Sequence, residues 1–326
     1  MSNTPNITLK TTGQKMPIVG FGLWKVNKET CAETVYNAIK AGYRLFDGAA
    51  DYGNEKQVGE GLARAFKEGL VKREDLFITT KLWNTNHKKE NVKKGFDRSI
   101  GDLGLDYVDL YLIHFPIAIK YVPESERYPP GFFVDGKSKV EMEKTPISET
   151  WAAMEELYDS GRAKNIGVSN FEGQLLTDLL NYCRIEPAVL QIEHHPYYTQ
   201  EELVQFCEQH NIAVTAYSSF GALSFIECDM KRAKSAPPLM ENEHVVEIAK
   251  KHDKTPAQVL LRWATQRNIA VVPKSNNKDR LAQNLNCCDF DLSKEELETL
   301  SGLNRNLKFN KPTNYGIPVI AAFHDY

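Results

Sequence analysis

Apolar runs in this sequence repeatedly end on a residue able to do chemistry: Trp24, Asp47, Lys81, His114, Ser169 with Asn170, Gln191 with Glu193 and His194, Tyr217, and Lys274. Asp47 and Lys81 alone fit two readings, a structural ion pair or part of a site, because a lysine closing an apolar run must be paired somewhere. Tyr52 separates the two. It lies just past Asp47 in Asp51-Tyr52-Gly53-Asn54-Glu55, where Gly and Asn favour a sharp turn into a helix. A phenol with a pKa of about 10 is a weak acid at neutral pH unless a cation lowers that value, and the Lys81 ammonium, held by Asp47, is expected to do so. His114 by itself reads equally well as a satisfied core residue, but beside Tyr52 it becomes a donor that polarises a carbonyl oxygen.

A second group of residues suits ligand binding. Lys274-Ser275-Asn276 closes the last run, with Lys278, Arg280 and a helix onset near Asn277 following. Cations around a helix N-terminus make an anion site, although a solvated basic turn has the same composition. Tyr217 and Trp24 can pack in a core or stack on a flat ring. Ser169, Asn170 and Gln191 can satisfy loop backbone or supply the donors and acceptors a carboxamide needs. Glu193, His194 and His195 are too close in sequence, and too isolated from other ligands, to suggest a metal; none is expected.

These side chains converge only if the runs form one sheet. The runs are Ile18–Trp24, Tyr43–Asp47, Leu76–Leu82, Val108–His114, Lys164–Ser169, Ala188–Glu193, Ile212–Tyr217 and Ile269–Lys274. Segments of helical period lie between them, such as Thr30–Ala41 and Asn54–Glu68, and Thr255-Pro256 is a helix start signal. Alternating strands and helices predict a (β/α)8 TIM barrel, in which every strand C-terminus meets at one mouth. The competing doubly wound dinucleotide fold requires G-x-G-x-x-G after its first strand, and Gly20-Phe21-Gly22 lacks the third glycine. Ile7–Leu9 and Met16–Ile18 predict a hairpin plugging the barrel floor. Residues 115–146, 218–242 and the tail from about 304 to 326 predict long loops over the mouth of a single domain spanning 1–326.

The composition sets limits. With 40 basic against 43 acidic residues the net charge is −3, which argues against nucleic-acid or membrane-surface partners. No secretory signal or apolar run of membrane-spanning length is found, so a cytoplasmic protein is expected, with its 6 cysteines reduced. Monomer and homodimer both fit.

The stretch Gly42-Tyr43-Arg44-Leu45-Phe46-Asp47-Gly48-Ala49-Ala50-Asp51-Tyr52-Gly53-Asn54-Glu55-Lys56-Gln57-Val58-Gly59 resembles the first signature of the aldo-keto reductases. Lys164 to Phe171 resembles the second, and Val272-Pro273-Lys274-Ser275 with Arg280 and Asn284 the third. Phe115-Pro116-Ile117, Tyr128 to Phe132 and Phe309-Asn310 are similar to the fungal xylose reductases within that family. The resemblance implies a catalytic tetrad at Asp47, Tyr52, Lys81 and His114. It implies Tyr217 stacked on nicotinamide, with Ser169, Asn170 and Gln191 on its carboxamide and Ser218 nearby. Lys274, Ser275, Asn276 and Arg280 would surround the adenosine 2′-phosphate, Asn284 would face the adenine, and Glu227 could accept ribose hydroxyls. NADPH preference with some use of NADH follows. Trp24, Asp51, His114, Phe115 and Asn310 would line a sugar pocket, so the implied activity is reduction of open-chain aldoses to alditols, D-xylose to xylitol foremost. After Asn310 the sequence reads Lys311-Pro312-Thr313-Asn314-Tyr315 where many yeast relatives have Asp-Pro-Trp, which keeps L-arabinose reduction or a broad-range aldehyde reductase as alternatives. Outside that activity stand a non-enzymatic nucleotide-binding regulatory subunit and a lyase using Lys81 as a Schiff base.

Overall fold

The computed structural model describes residues 4–132, 140–315 and 317. A short antiparallel hairpin, β1 (Asn6–Thr8) and β2 (Lys15–Pro17), pairs Ile7 with Met16. Eight parallel strands follow: β3 (Phe21–Gly22), β4 (Leu45–Asp47), β5 (Phe77–Leu82), β6 (Leu110–Ile113), β7 (Ile166–Ser169), β8 (Val189–Glu193), β9 (Ala213–Tyr217) and β10 (Ala270–Val271). Each lies inside one of the runs read from the sequence and loses residues only at its ends. The runs carry apolar residues without strict alternation because both faces of these strands are covered, one by the barrel interior and one by helices.

The sheet closes on itself. Val19 bridges Val271 in parallel, Gly20 N donates to Val271 O at 2.8 Å, and Gly22 N donates to Pro273 O at 3.1 Å. A Cβ on Gly22 would lie 2.5 Å from the Val272 carbonyl oxygen, so only glycine permits this seam. The (β/α)8 barrel expected from the alternation of elements is thus the observed fold.

Helix boundaries follow local capping. The helix expected from Thr30 begins at Lys28, because the Asn27 side chain caps it by accepting from Glu29 N; it ends at Gly42, with φ +110°. Thr255 and Gln258 form a capping box with Pro256 in the first turn of helix Pro256–Thr265. Asn277 caps helix Lys278–Leu285 by accepting from Asp279 N and Arg280 N.

The hairpin sits across the N-terminal ends of the strands. Thr12 Oγ1 donates to Asn165 Oδ1 at 2.6 Å, and Gln14 Nε2 donates to Asp109 Oδ1 at 2.7 Å, while Leu9 and Met16 are buried beneath. At the other end, residues 218–242 are more ordered than a loop, with helices Leu223–Ile226 and Lys231–Ser235. Of residues 115–146, the stretch 133–139 lies outside the described residues, as do 316 and 318–326 of the tail. Among the described residues no helix is long and apolar enough to cross a membrane.

Candidate active site

The C-terminal ends of the strands open into a cleft of about 580 Å³, a size usual for small-molecule sites. On its floor Lys81, fully buried on β5, donates from Nζ to Asp47 Oδ1 at 2.7 Å, to Gly48 O at 2.9 Å and to Tyr52 Oη at 3.3 Å. Three N–H groups meet three acceptors, so the ammonium is fixed and poorly disposed to act as a free amine. The other Asp47 oxygen accepts from Gln191 Nε2 at 2.7 Å. Because Lys81 donates to it, the Tyr52 oxygen can direct its own proton away from Lys81, and no acceptor for that proton is found among the described residues.

The electrostatics differ from expectation at Tyr52. Burial, with the Asp47 and Asp51 carboxylates and Tyr315 close by, holds the phenol well above its ordinary value. Lys81 does not overturn this, since its charge is already matched to Asp47 at contact distance and burial disfavours the ammonium itself. Tyr52 therefore stays protonated, the state needed to donate. His114 is driven well below the usual imidazole range, first by burial and then by the Lys81 charge, and is neutral. Its ring meets Tyr52 edge-on at 5.8 Å and stacks on Phe115 at 5.0 Å, and its buried Nδ1 has no partner among the described residues.

One side of the floor carries a continuous hydrogen-bonded chain. Asn170, with φ +62°, donates from Nδ2 to His114 O at 2.8 Å and accepts from Tyr217 Oη at 2.5 Å. Asn310 Nδ2 donates to Tyr217 Oη at 2.9 Å, and Tyr315 Oη donates to Asn310 Oδ1 at 3.1 Å. Ser169 Oγ donates to Gln191 O. Asp51 accepts from Gly131 N at 3.0 Å, and burial raises its carboxyl to about 7 despite that bond and the Arg127 charge.

The far end of the cleft is lined by Lys274, Ser275, Asn276 and Arg280, with Ser218 and Glu227 on the facing segment. No carboxylate pairs with Lys274 or Arg280 among the described residues. Glu227 is exposed and reaches Lys25 Nζ at 3.5 Å across the rim. Trp24, Asp51, His114, Phe115 and Asn310 all line the near end. Asn284 lies one turn further along helix Lys278–Leu285 than Arg280, is buried there, and is not among the residues lining the cleft. Sequence reasoning missed Lys25, Phe132 and Tyr315 as lining residues. Only the aromatic character of Tyr315, in the tail expected to form a lid, hinted at its place.

The donor set fits a nicotinamide dinucleotide. Idle cations occupy one end, a tyrosine face and amide side chains the other, and the two are joined by one continuous cleft. Comparison with known proteins agrees: the model of the aldo/keto reductase family matches residues 18–305. The chain belongs to the aldo/keto reductase family. It is 60% identical over 315 residues to a probable NAD(P)H-dependent D-xylose reductase of Emericella nidulans, covering 97% of this chain and 98% of that protein. It is 56% identical over 322 residues to NAD(P)H-dependent D-xylose reductase I,II of Candida tropicalis, covering 98% and 99%. Among solved structures, an aldo-keto reductase of Bombyx mori in complex with NADP superimposes with a TM-score of 0.84 at 37% identity, covering 96% of each chain. Membership in this family accounts for the barrel and for a cleft at its C-terminal mouth.

Proposed function

We propose that this chain is an NAD(P)H-dependent reductase of open-chain aldoses, with D-xylose to xylitol as its principal reaction. The observation that carries the reading is the joining, in one cleft, of a protonated buried phenol beside an ammonium, idle cations at the far end, and polar side chains at the near end. The similarity over nearly full length to D-xylose reductases of two fungi supports the same reading.

Lys274, Ser275, Asn276 and Arg280 would hold the phosphate-bearing adenosine end of the dinucleotide, and Tyr217, Ser169, Asn170 and Gln191 its nicotinamide end. When bound, the reduced nicotinamide supplies the hydride. Tyr52 gives its proton to the carbonyl oxygen as negative charge develops there, because an alkoxide is a far stronger base than a phenolate. Lys81, 3.3 Å from the phenol oxygen, then stabilises the phenolate that remains. Neutral His114 donates a hydrogen bond to the same carbonyl oxygen, a preorganised contact that strengthens as charge builds. Asp51 and Asn310 would pair their remaining donors and acceptors with sugar hydroxyls, and a purely apolar aldehyde would leave that remaining capacity unused. NADPH preference follows from the unmatched Lys274 and Arg280, and Glu227 at the rim leaves room for NADH. Free sugar as substrate and six free cysteines suit a cytoplasmic setting.

The test is product analysis. Incubation with NADPH and D-xylose should yield xylitol in amounts equal to the NADPH consumed; NADPH consumption with no alditol would overturn the reading.

A further inference from the structure

Glu193 ends β8 as a nearly fully buried carboxylate that none of the steps above uses. Its Oε1 accepts from Phe309 N at 2.8 Å and lies 3.0 Å from His195 Nε2, and its Oε2 accepts from Asn310 N at 2.8 Å. Neither Lys nor Arg pairs with it among the described residues. A carboxylate buried this way is costly unless its lone pairs are filled, and here two successive peptide N–H groups and one imidazole fill them. The two peptide partners lie more than a hundred residues further along the chain, in the tail that crosses the mouth. The preceding turn is held elsewhere, by Arg305 N and Leu307 N on Tyr197 O.

We infer that Glu193, braced by His195, is a positioning residue for sugar recognition: it clamps the Phe309–Asn310 backbone so that the Asn310 side chain is aimed into the near end of the cleft. Phe309 is seated between His195 and Phe225, with ring centroids 5.5 and 6.1 Å away. Asn310 is thereby presented to Tyr217 Oη on one side and Tyr315 Oη on the other. Freed from the clamp, the tail would keep its anchor at Tyr197 but lose the register that places the amide. The device acts through Asn310 and not on the reacting atoms, so its signature is selective. The inference rests on the reading of Asn310 as a sugar contact.

Glu193→Gln is close to isosteric, yet an amide has one acceptor oxygen, so its NH2 must face at least one of the two peptide donors. The variant should raise KM for D-xylose about tenfold, with the dissociation constant for NADPH, followed by fluorescence quenching, within about twofold. Its loss of kcat/KM for D-xylose should exceed its loss for propionaldehyde, which has no hydroxyls, by about the same tenfold factor. In an Asn310→Ala background, Glu193→Gln should add less than about twofold, because both changes remove one lever. Equal losses on both aldehydes, full additivity with Asn310→Ala, or an unchanged D-xylose KM would overturn the clamp. Residue-resolved hydrogen exchange reads the clamp independently of the substrate: the Phe309 and Asn310 amides should be protected in the wild type and exposed in Glu193→Gln. If that variant does not fold, the wild-type map decides, since fast exchange at both amides contradicts the clamp. A wild type inactive on every aldose, with both amides protected, would sink the sugar reading and leave the clamp standing.

Discussion

At the floor of the barrel Asp109, just before β6, accepts from Arg73 Nη2 at 2.7 Å, from Ile78 N at 2.8 Å and from Gln14 Nε2 at 2.7 Å. At the mouth Asp47, on β4, accepts from Lys81 and Gln191, both at 2.7 Å. The two aspartates are comparably buried and each has both carboxylate oxygens engaged, and pair distance alone would not distinguish a site from a girder. What differs is the surroundings. The hairpin lies across Asp109, and its cation is occupied in stacking on Tyr107 at 3.9 Å. Around Asp47 the groups are left open to a guest: among the described residues the Tyr52 proton has no acceptor and Lys274 and Arg280 carry unmatched charge, and the His114 ring lines the cleft beside them. A buried ion pair thus marks chemistry only when a neighbour has a hydrogen bond still to make.

The widest separation of the two ends should come from paired substitutions. Tyr52→Phe should lower kcat/KM for D-xylose roughly 1,000-fold with NADPH binding intact, while Asp109→Asn should leave kcat unchanged and lower unfolding stability by about 3 kcal/mol, read in urea melts. A large loss of kcat in Asp109→Asn, in protein still folded, would break the comparison.

Next in size is the cofactor end. Lys274→Met with Arg280→Ala should raise KM for NADPH about 100-fold through two lost charge-assisted contacts, while KM for NADH moves about twofold. Equal effects on both would place the phosphate elsewhere.

A smaller effect is expected from Asp51, whose carboxyl is raised to about 7 by burial. As pH rises through that value the group becomes an acceptor-only carboxylate, so kcat/KM for the sugar should climb about tenfold between pH 6 and 8, in proportion to the fraction ionised. Asp51→Asn should flatten this limb of the profile.

The smallest concerns stability. Burial holds His87 down at about 4 and keeps His114 and His194 well below the imidazole range. All three are neutral in the fold near pH 5, whereas the unfolded chain protonates them below about 6.5, so stability should fall as pH drops through that window. Thermal melts at pH 7 and pH 5 should show it, and His87→Gln should remove about 2 kcal/mol of the difference.

Much of this was legible in the sequence for physical reasons. Strand identity followed from β-branched and aromatic runs, and closure of eight such units leaves one face where strand ends gather, so Asp47, Lys81, His114 and Tyr217 had to meet once the fold was known. Asn27 as a cap was not foreseen, because Thr30 offers similar capping chemistry nearby. The direction of the Tyr52 shift was missed because spacing places Lys81 beside the phenol but says nothing of the desolvation and the carboxylates around it. Glu193 looked like a failed metal ligand; its partners at Phe309 and Asn310 are peptide groups, which carry no side-chain signature at all.

The most direct test of the central claim is a set of initial rates of NADPH oxidation with D-xylose, L-arabinose, glyceraldehyde and a hydrophobic aldehyde at matched concentrations. The account predicts turnover of the pentoses, with D-xylose ahead of L-arabinose. Turnover of the hydrophobic aldehyde alone, or no turnover of any of them by protein that binds NADPH, would contradict it.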